Sequence, residues 1–307
     1  MPKPNCFIIG APKCGTTSLS AWLSEHPEVC FSLIKEPHFF STDVGVGFRF
    51  DEDTYYSLFR EASEDTPAVM EGSTKYLYSR EAVPRIEREL PGGKYIVMLR
   101  NPVDMAQALH WQYYRSGYIE DIRDFQEAWK AQEQRRHGAW IPRLCRAPDM
   151  LQYQEYCMLG KQLQRLYQHV PRERVMVILL EEMKSNPREI WLKLQSFMGI
   201  SDDGRTDFPV INAAGSAQSR WRKKLKWRCV FLWLDFVQFA HLSFFGVRLF
   251  NKYQLITWNR HARRKSKPAV NRPAVSPEVK QELIETFRDD VNLLGDLIDR
   301  DVSLWLK

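Results

Sequence analysis

The segment from Phe7 to Ser18 has the sequence Phe-Ile-Ile-Gly-Ala-Pro-Lys-Cys-Gly-Thr-Thr-Ser. Its apolar run, Phe7–Ile9, predicts a buried strand, and the residues from Ser18 to Leu23 predict a helix. Between them lies a loop bounded by two glycines. In such a strand–loop–helix unit, backbone N–H groups and the helix N-terminus can hold a phosphate. The segment therefore predicts a phosphate-binding loop made of Lys13, Cys14, Gly15, Thr16, Thr17 and Ser18.

The loop departs from the Walker A pattern at one position. Walker A places a lysine directly after the second glycine, where it reaches the β- and γ-phosphates of a nucleotide. Here Thr16 holds that position, and the lysine lies inside the loop as Lys13. The loop can still bind a phosphate, but it is poorly arranged for a nucleoside triphosphate.

Length and composition limit the class of protein. The chain has 307 residues and a net charge of +6, from 44 basic and 38 acidic side chains. This mild excess favours an anionic ligand, and the absence of zinc-finger spacing and of an RNA-binding signature argues against nucleic acid as a partner. The six cysteines include no CxxC pair, and a strand begins within the first residues, where a secretory segment would lie. We therefore expect a reduced, cytoplasmic protein.

Strands and helices alternate along the first 200 residues. This βαβ rhythm predicts an α/β, P-loop-like three-layer fold, in which helices flank a central parallel sheet. We expect one domain over residues 1–307, with an aromatic-rich helical insertion at about 221–258. The predicted strands are Phe7–Ile9, Tyr95–Leu99 and Val175–Leu180. The predicted helices are Ser18–Glu25, Glu81–Glu89, Met105–Tyr114, Met158–His169, Pro187–Met198 and Glu278–Leu297.

A second chemical feature is the strand that ends in Leu99-Arg100-Asn101-Pro102. A magnesium-dependent P-loop enzyme usually carries an acidic residue at such a strand end. Arg100 instead offers a bidentate partner for a second phosphate. An NTPase remains an alternative, because the strand Val175–Leu180 is followed by Glu181 and Glu182. Together, the loop and Arg100 indicate a nucleotide with two separate phosphates and no required metal.

These segments resemble the sulfotransferases that use 3′-phosphoadenosine-5′-phosphosulfate (PAPS), on the side of the carbohydrate and heparan sulfate enzymes. Pro12–Ser18 is similar to the family's 5′-phosphosulfate loop, and Leu99–Pro102 to the start of its 3′-phosphate motif. Lys35-Glu36-Pro37-His38-Phe39-Phe40 resembles the family's K-E-x-H-F-F segment. Glu71-Gly72-Ser73-Thr74-Lys75-Tyr76 resembles its E-K-[ST]-x-x-Y segment. The resemblance implies PAPS as the co-substrate.

The sequence departs from the family pattern in three places. Ala108 stands where the 3′-phosphate motif normally has a serine, so Gln107, His110 or a later basic residue replaces that hydrogen bond, or it is missing. Gly72 stands where the family has lysine. The basic loop before the last helix also differs, and the candidates there for nucleotide binding are Lys265, Lys267 and Arg272.

Sulfuryl transfer requires a cation at the departing phosphate and a base for the acceptor proton. Lys13 is the candidate cation, and the resemblance implies that Glu36 is the general base. His38 and Glu71 are the other titratable groups on the flanking loops. His38 lies between apolar neighbours, which fits a structural role as well as a catalytic one. Glu71 fits better as a residue that orients Lys13 or an acceptor hydroxyl than as the base.

The expected reaction is sulfuryl transfer from PAPS to a hydroxyl or amine of a carbohydrate, a glycolipid or another small acceptor. The alternatives are a P-loop small-molecule kinase and an inactive nucleotide-binding or membrane-associated scaffold. Within the segment 221–258, the stretch Cys229–Phe250 has a broad apolar face, and six basic residues lie just before that stretch: Arg220, Arg222, Lys223, Lys224, Lys226 and Arg228. This pattern is typical of a helix that lies on an anionic membrane, and a helical hairpin packed on the protein itself is an equal alternative.

Overall fold

The computed structural model describes residues 2–45, 49–211 and 273–307. Its centre is a five-stranded parallel sheet with the strand order β2-β3-β1-β4-β5. The strands are β1 (Cys6–Gly10), β2 (Val29–Phe31), β3 (Ala68–Gly72), β4 (Lys94–Leu99) and β5 (Val175–Leu179).

Helices flank the sheet, so the predicted α/β fold is confirmed. The helices are α1 (Thr16–Leu23), α2 (Glu52–Tyr56), α3 (Ala82–Glu89), α4 (Pro102–Ser116), α5 (Phe125–Lys130), α6 (Gln132–Arg136), α7 (Tyr153–Tyr156), α8 (Leu159–Tyr167), α9 (Leu180–Ser185), α10 (Pro187–Met198) and α11 (Pro277–Ile298). The predicted bounds of α10 agree with the structure, and α4 begins three residues earlier than predicted because Asn101 caps it and Pro102 starts it.

The central strands form because their apolar side chains are buried on both faces of the sheet. Phe7, Ile8 and Ile9 are completely buried, as are the apolar residues of β4 from Tyr95 to Leu99. Such continuous apolar runs are typical of parallel strands covered by helices on both sides. Sequence analysis missed β2 and β3, because β2 has only three residues and β3 contains a glutamate and a glycine.

The parallel sheet brings the candidate site residues to one edge. The chain leaves the central strand β1 toward β2 on one side and later reaches β4 on the other side. Ligands of open α/β sheets bind at the carboxyl ends of the strands, where connections diverge in this way. Lys13 follows β1, Glu36 follows β2, Glu71 lies near the end of β3, and Arg100 follows β4.

The last helix, α11, packs against α8 through a close backbone contact. The carboxylate of Asp290 accepts hydrogen bonds from the backbone N–H groups of Gly160 (2.8 Å) and Lys161 (2.9 Å). A Cβ atom at Gly160 would lie 2.3 Å from the carbonyl oxygen of Asp290, so only glycine fits there. Asp290 therefore caps the beginning of α8 and joins the C-terminal helix to the domain.

Several sequence predictions lie outside the described residues. They are the helical insertion at about 221–258, with its membrane or packing role, and the nucleotide contacts of Lys265, Lys267 and Arg272. Within the described ranges, none of the helices is long and apolar enough to cross a membrane. The cysteines of these ranges, Cys6, Cys14, Cys30, Cys145 and Cys157, are free thiols.

Candidate active site

The phosphate loop runs from the end of β1 to the start of α1. Gly15 precedes the helix with a φ of +92°, and a Cβ atom there would lie 2.9 Å from Leu180 Cδ1, so glycine is required at this turn. No side chain caps the N-terminus of α1, and its first turn contains no acidic residue. The first N–H groups of a helix have no partner within the helix. This end of α1 therefore offers N–H donors to an anion.

Two members of the predicted loop have internal contacts. The hydroxyl of Ser18 accepts a hydrogen bond from the Ile211 N–H (2.9 Å), and the Ser18 N–H donates to the Gly15 carbonyl oxygen (3.0 Å). Burial raises the pKa of the Cys14 thiol to about 12, so this thiol is protonated at neutral pH and is not a nucleophile. Ser18 thus joins the loop to the chain near residue 211, and Cys14 packs in the core.

Arg100 lies directly beside the phosphate loop. Its Nη1 donates to the carbonyl oxygen of Lys13 (3.2 Å), and its Nη2 contacts the Asp104 carboxylate (2.8 Å). Its Nε is buried and has no hydrogen-bond partner among the described residues. The structure therefore brings together the two residues that the sequence predicted for separate phosphates, and the guanidinium keeps donor capacity for a ligand.

The helix that follows Arg100 has no serine at the family's position. Ala108 holds it, and the Nε2 atom of His110 already lies 3.0 Å from the carbonyl oxygen of Ile122. Gln107 lies in α4, the helix that begins at Pro102 just after Arg100. It lines a cavity of about 190 Å³. Other polar and aromatic residues that line this cavity are His110, Trp111, Arg123, Asp124, Phe125, Gln126 and Ser276. Sequence analysis did not single out Arg123, because no motif includes it.

We call residues Lys35–Phe40, which follow β2, the base loop. In this loop, Glu36 Oε1 contacts the Lys35 ammonium (2.7 Å) and the Thr74 hydroxyl (3.2 Å), and Glu36 Oε2 lies 3.7 Å from His38 Nε2. The Glu36 side chain is 39% exposed. Partial desolvation opposes its ionisation, but Lys35 and His38 hold its pKa well below the ordinary value. Burial also lowers the pKa of His38. Glu36 is therefore ionised at neutral pH.

Three of the candidate site residues have a strained backbone conformation. Lys13, Glu36 and His38 have φ angles of +67°, +61° and +52°. Non-glycine residues in the left-handed region cost about 1–3 kcal/mol each and persist where the surroundings hold them, commonly at functional sites. Trp140 and Asp299 have similar φ angles, +54° and +53°, so three of the five such residues in the described ranges are candidate site residues.

Three backbone N–H groups of the base loop donate hydrogen bonds to Gly72 at the end of β3 and to residues that follow β3. The N–H of Glu36 donates to the Gly72 carbonyl oxygen (2.9 Å), and the N–H of His38 donates to the Ser73 hydroxyl (3.0 Å). The N–H of Phe40 donates to the Tyr76 hydroxyl (3.2 Å). The sequence motif that contains Ser73 and Tyr76 was recognised, but its contact with the base loop could not be predicted because the two segments are distant in sequence.

Two positions after the start of β3 determine which positive charges lie near the base loop: position 72 is glycine and position 75 is lysine. A Cβ atom at Gly72 would lie 3.2 Å from Phe31 Cζ and 3.3 Å from Ser20 Oγ, so a larger side chain would displace its neighbours. The Lys75 ammonium is partly buried and interacts electrostatically with Asp149 and Glu36, and burial lowers its pKa. Lys75 is therefore a cation close to the base loop that sequence analysis did not single out.

Glu71 lies in β3 and is completely buried. Burial raises its pKa from 4.5 to about 7, and the hydroxyls of Tyr76, Tyr55 and Ser73 oppose this increase. Neither carboxylate oxygen meets full hydrogen-bond geometry with a described group. Glu71 is thus a buried acid surrounded by hydroxyls, without access to solvent.

Comparison with known proteins gives consistent matches. Residues 3–210 match the family described as the sulfotransferase domain. A solved structure, a sulfotransferase from Alicyclobacillus acidocaldarius, superposes with a TM-score of 0.69 and 25% sequence identity, and the alignment covers 100% of both chains.

Curated relatives match part of the chain. A bifunctional heparan sulfate N-deacetylase/N-sulfotransferase 4 from Mus musculus is 25% identical over 211 residues, which cover 64% of this chain and 22% of the relative. A heparan sulfate glucosamine 3-O-sulfotransferase 6 from Homo sapiens is 36% identical over 103 residues, which cover 34% of this chain and 28% of the relative. The matches therefore span less than a third of either relative.

Proposed function

Because this chain belongs to the sulfotransferase domain family, we propose that it transfers a sulfuryl group from PAPS to a hydroxyl or amine of a carbohydrate-type or lipid-linked acceptor. The observation that carries this proposal is the contact between Arg100 Nη1 and the carbonyl oxygen of Lys13. It joins the two elements that would bind the phosphates of the donor, at the same edge of the sheet as Glu36. This reaction needs a binding site for a donor with two phosphates, and a nearby base that accepts the proton of the acceptor.

The donor would bind across the phosphate loop and Arg100. The uncapped N-terminus of α1 and the Lys13 ammonium would hold the 5′-phosphosulfate. Arg100 would hold the 3′-phosphate with the N–H donors that Lys13 and Asp104 leave available. Gln107 and Arg123 line the cavity farther along α4 and are candidates to replace the family's serine.

The acceptor would attack the sulfur atom in line with the leaving phosphate, and the base loop would supply the general base. The acceptor oxygen or nitrogen attacks sulfur, its proton passes to the Glu36 carboxylate, and the bond between sulfur and the 5′-phosphate oxygen breaks. The bond's electron pair stays on the departing phosphate, whose charge Lys13 and the loop N–H groups stabilise. A base must be ionised to accept a proton, and the low pKa of Glu36 keeps it ionised at neutral pH, at the expense of some proton affinity.

The acceptor class rests on the relatives rather than on a contact in this chain. Curated relatives named for heparan sulfate support a carbohydrate acceptor. The loops that face an acceptor vary most within a fold, and they carry no simple code for it. The sequence of 221–258 supports a lipid-linked acceptor only if that segment contacts a membrane.

Single-turnover transfer from PAPS labelled in the sulfuryl group tests the proposal directly. A panel of saccharides, glycolipids and small alcohols and amines is screened without added metal, with Glu36→Gln as the control. We expect label in at least one acceptor with the unsubstituted protein, and transfer about 10²- to 10⁴-fold slower with the variant. A protein that binds nucleotide but transfers no label to any of these acceptors would favour the inactive scaffold.

The competing enzyme is a P-loop kinase. Thr16 holds the position of the Walker lysine, which disfavours a kinase. Glu181 and Glu182 lie in the first turn of α9, just after β5, and keep this alternative open. Transfer of the γ-phosphate from ATP that requires magnesium would identify a kinase. Transfer from PAPS that persists with a chelator would identify a sulfotransferase.

A further inference from the structure

The buried carboxyl of Glu71 has no assigned role in the proposed reaction, but it interacts with hydroxyl groups from α2 and from the segment after β3. It belongs to β3, and the hydroxyls that act on it come from Tyr55 on α2 and from Ser73 and Tyr76 after β3. Glu71, Ser73 and Tyr76 are all buried. A buried carboxyl without a well-formed hydrogen bond costs stability, and such groups in native proteins commonly have a function.

Two of these hydroxyls also hold the base loop. Ser73 Oγ accepts the N–H of His38 (3.0 Å), and the Tyr76 hydroxyl oxygen accepts the N–H of Phe40 (3.2 Å). A hydroxyl has one proton to donate while its oxygen accepts. The Glu71 carboxyl interacts with both hydroxyls, and because an ionised carboxylate only accepts hydrogen bonds, it can take both protons.

Ring packing links the same residues to the side chains of the base loop. Tyr55 stacks on Phe39 with ring centroids 4.2 Å apart and an interplanar angle of 9°. Tyr76 packs edge to face against Phe40 (6.0 Å) and His38 (6.3 Å). A change at either tyrosine would therefore be transmitted to the loop by packing as well as by hydrogen bonds.

We propose that Glu71 is a positioning residue for the base loop, and that its ionised form fixes the hydroxyls of Tyr76 and Ser73 as donors to itself and as acceptors for the loop. The inference rests on the proposed function, in which Glu36 is the general base. When Glu71 is protonated, its own proton needs an acceptor, and one hydroxyl loses the carboxylate oxygen to which it donated. The loop amides and Glu36 are then held less firmly.

The first test is the pH profile of kcat/KM. For the unsubstituted protein we expect a rise with pH near the pKa of Glu71, about 7. Tyr76, Tyr55 and Ser73 are the groups that face Glu71, and both tyrosines have their pKa raised well above 10. They therefore do not titrate in this range. Glu71→Gln should remove the rise and lower kcat/KM about tenfold on the alkaline side, with product affinity unchanged.

Two further variants separate positioning from general damage. Tyr76→Phe removes the hydroxyl between Glu71 and Phe40 and should reproduce the effect of Glu71→Gln, with little added loss when the two are combined. Tyr95→Phe is the matched control, because the Tyr95 hydroxyl donates to Glu87 (2.6 Å) away from the base loop. It should leave the pH profile unchanged.

A readout without turnover keeps the inference separate from the proposed function. Amide hydrogen exchange of the peptide that spans residues 35–40, corrected for intrinsic pH dependence, should show greater protection above pH 7 than below it. This difference should disappear in Glu71→Gln. If the protein transfers no sulfuryl group but shows this exchange pattern, the proposed function fails and the positioning role stands.

Three results would overturn the inference. One is a pH rise that persists in Glu71→Gln or moves equally in Tyr95→Phe. Another is equal protection of the loop on both sides of pH 7 in the unsubstituted protein. The third is a loss of turnover in Glu71→Gln as large as in Glu36→Gln while Tyr76→Phe stays active, which would make Glu71 itself the base.

Discussion

Arg100 Nη1 donates a hydrogen bond to the backbone carbonyl oxygen of Lys13 across 3.2 Å. This contact joins the loop after β1 to the end of β4, two segments that are 87 residues apart in the chain. The guanidinium is only 14% exposed and its Nη2 is held by Asp104, so its position is set before a ligand arrives. A fixed arginine beside a phosphate loop is suited to a nucleotide with two separate phosphates.

The first prediction concerns the 3′-phosphate. The protein should bind adenosine 3′,5′-bisphosphate without magnesium and should prefer it to AMP. Arg100→Ala should remove most of this preference, about 10- to 100-fold, because a charge-assisted hydrogen bond contributes about 1.5–3 kcal/mol. Calorimetry with a chelator present measures both affinities. Equal affinities for the two nucleotides in the unsubstituted protein would contradict the role of Arg100. The control is Arg136→Ala, which changes an arginine at an exposed position.

A second prediction separates the role of Lys13 in binding from its role in turnover. Charge on the departing phosphate grows as the bond to sulfur breaks, so the Lys13 ammonium is most important at that stage. Lys13→Ala should therefore reduce kcat by a larger factor than it reduces affinity for the bisphosphate product. Single-turnover rates and product titrations on the same preparation give the two factors. An equal loss in both would mean that Lys13 only binds.

A third prediction concerns the base. Glu36→Gln keeps the shape of the side chain and removes its basicity, so turnover should fall about 10²- to 10⁴-fold while nucleotide binding survives. Glu61→Gln changes an exposed glutamate and should leave turnover unchanged. If Glu36→Gln stays active and Glu71→Gln is inactive, the two roles exchange. If both stay active, His38 becomes the candidate.

The phosphate loop and the Arg100 motif could be predicted because each is local: a strand, a few loop residues and a helix start carry the whole signal. Two strands, β2 and β3, were missed because they are short or interrupted by polar residues. The hydrogen bonds that the base loop donates to the Ser73 and Tyr76 hydroxyls were also beyond prediction, since they depend on the pairing of β2 with β3, which brings together the segments that follow the two strands. Lys75 and Arg123 were missed because neither stands at a position where a motif calls for a basic residue.

A fourth prediction follows from the pKa of Glu71, which burial raises from 4.5 to about 7. Between these values the folded protein retains a proton that the unfolded chain releases. The resulting stabilisation is complete below pH 4.5 and is lost as the pH rises through 7. Glu71→Gln does not titrate, so the unsubstituted protein should lose about 3 kcal/mol relative to the variant between about pH 4 and pH 8. Urea unfolding across this range measures it, and parallel stability curves would contradict the shift.

The fifth prediction concerns the ion pair between Glu120 and Arg135, whose side chains are completely buried. Arg135 binds both carboxylate oxygens (2.7 and 2.8 Å), and the Tyr153 hydroxyl donates to one of them (2.7 Å). Arg135→Met would leave Glu120 as an unpaired buried charge, so the free energy of unfolding should fall by about 3–5 kcal/mol. The neighbouring Arg136 makes only exposed ion pairs, and Arg136→Met should cost less than about 1 kcal/mol.

The double variant Glu120→Leu/Arg135→Met shows whether this loss comes from the pair or from the charge left behind. Replacing both partners by apolar side chains removes the unpaired charge, so the double variant should be more stable than Arg135→Met alone. Urea unfolding of all the variants at one pH gives the comparison. A double variant as unstable as the single one would mean that the bonds of Arg135 to the surrounding chain, including the Trp140 carbonyl oxygen at 3.3 Å, contribute more than its pairing with Glu120. Arg135 would then act mainly as an anchor for the backbone at Trp140.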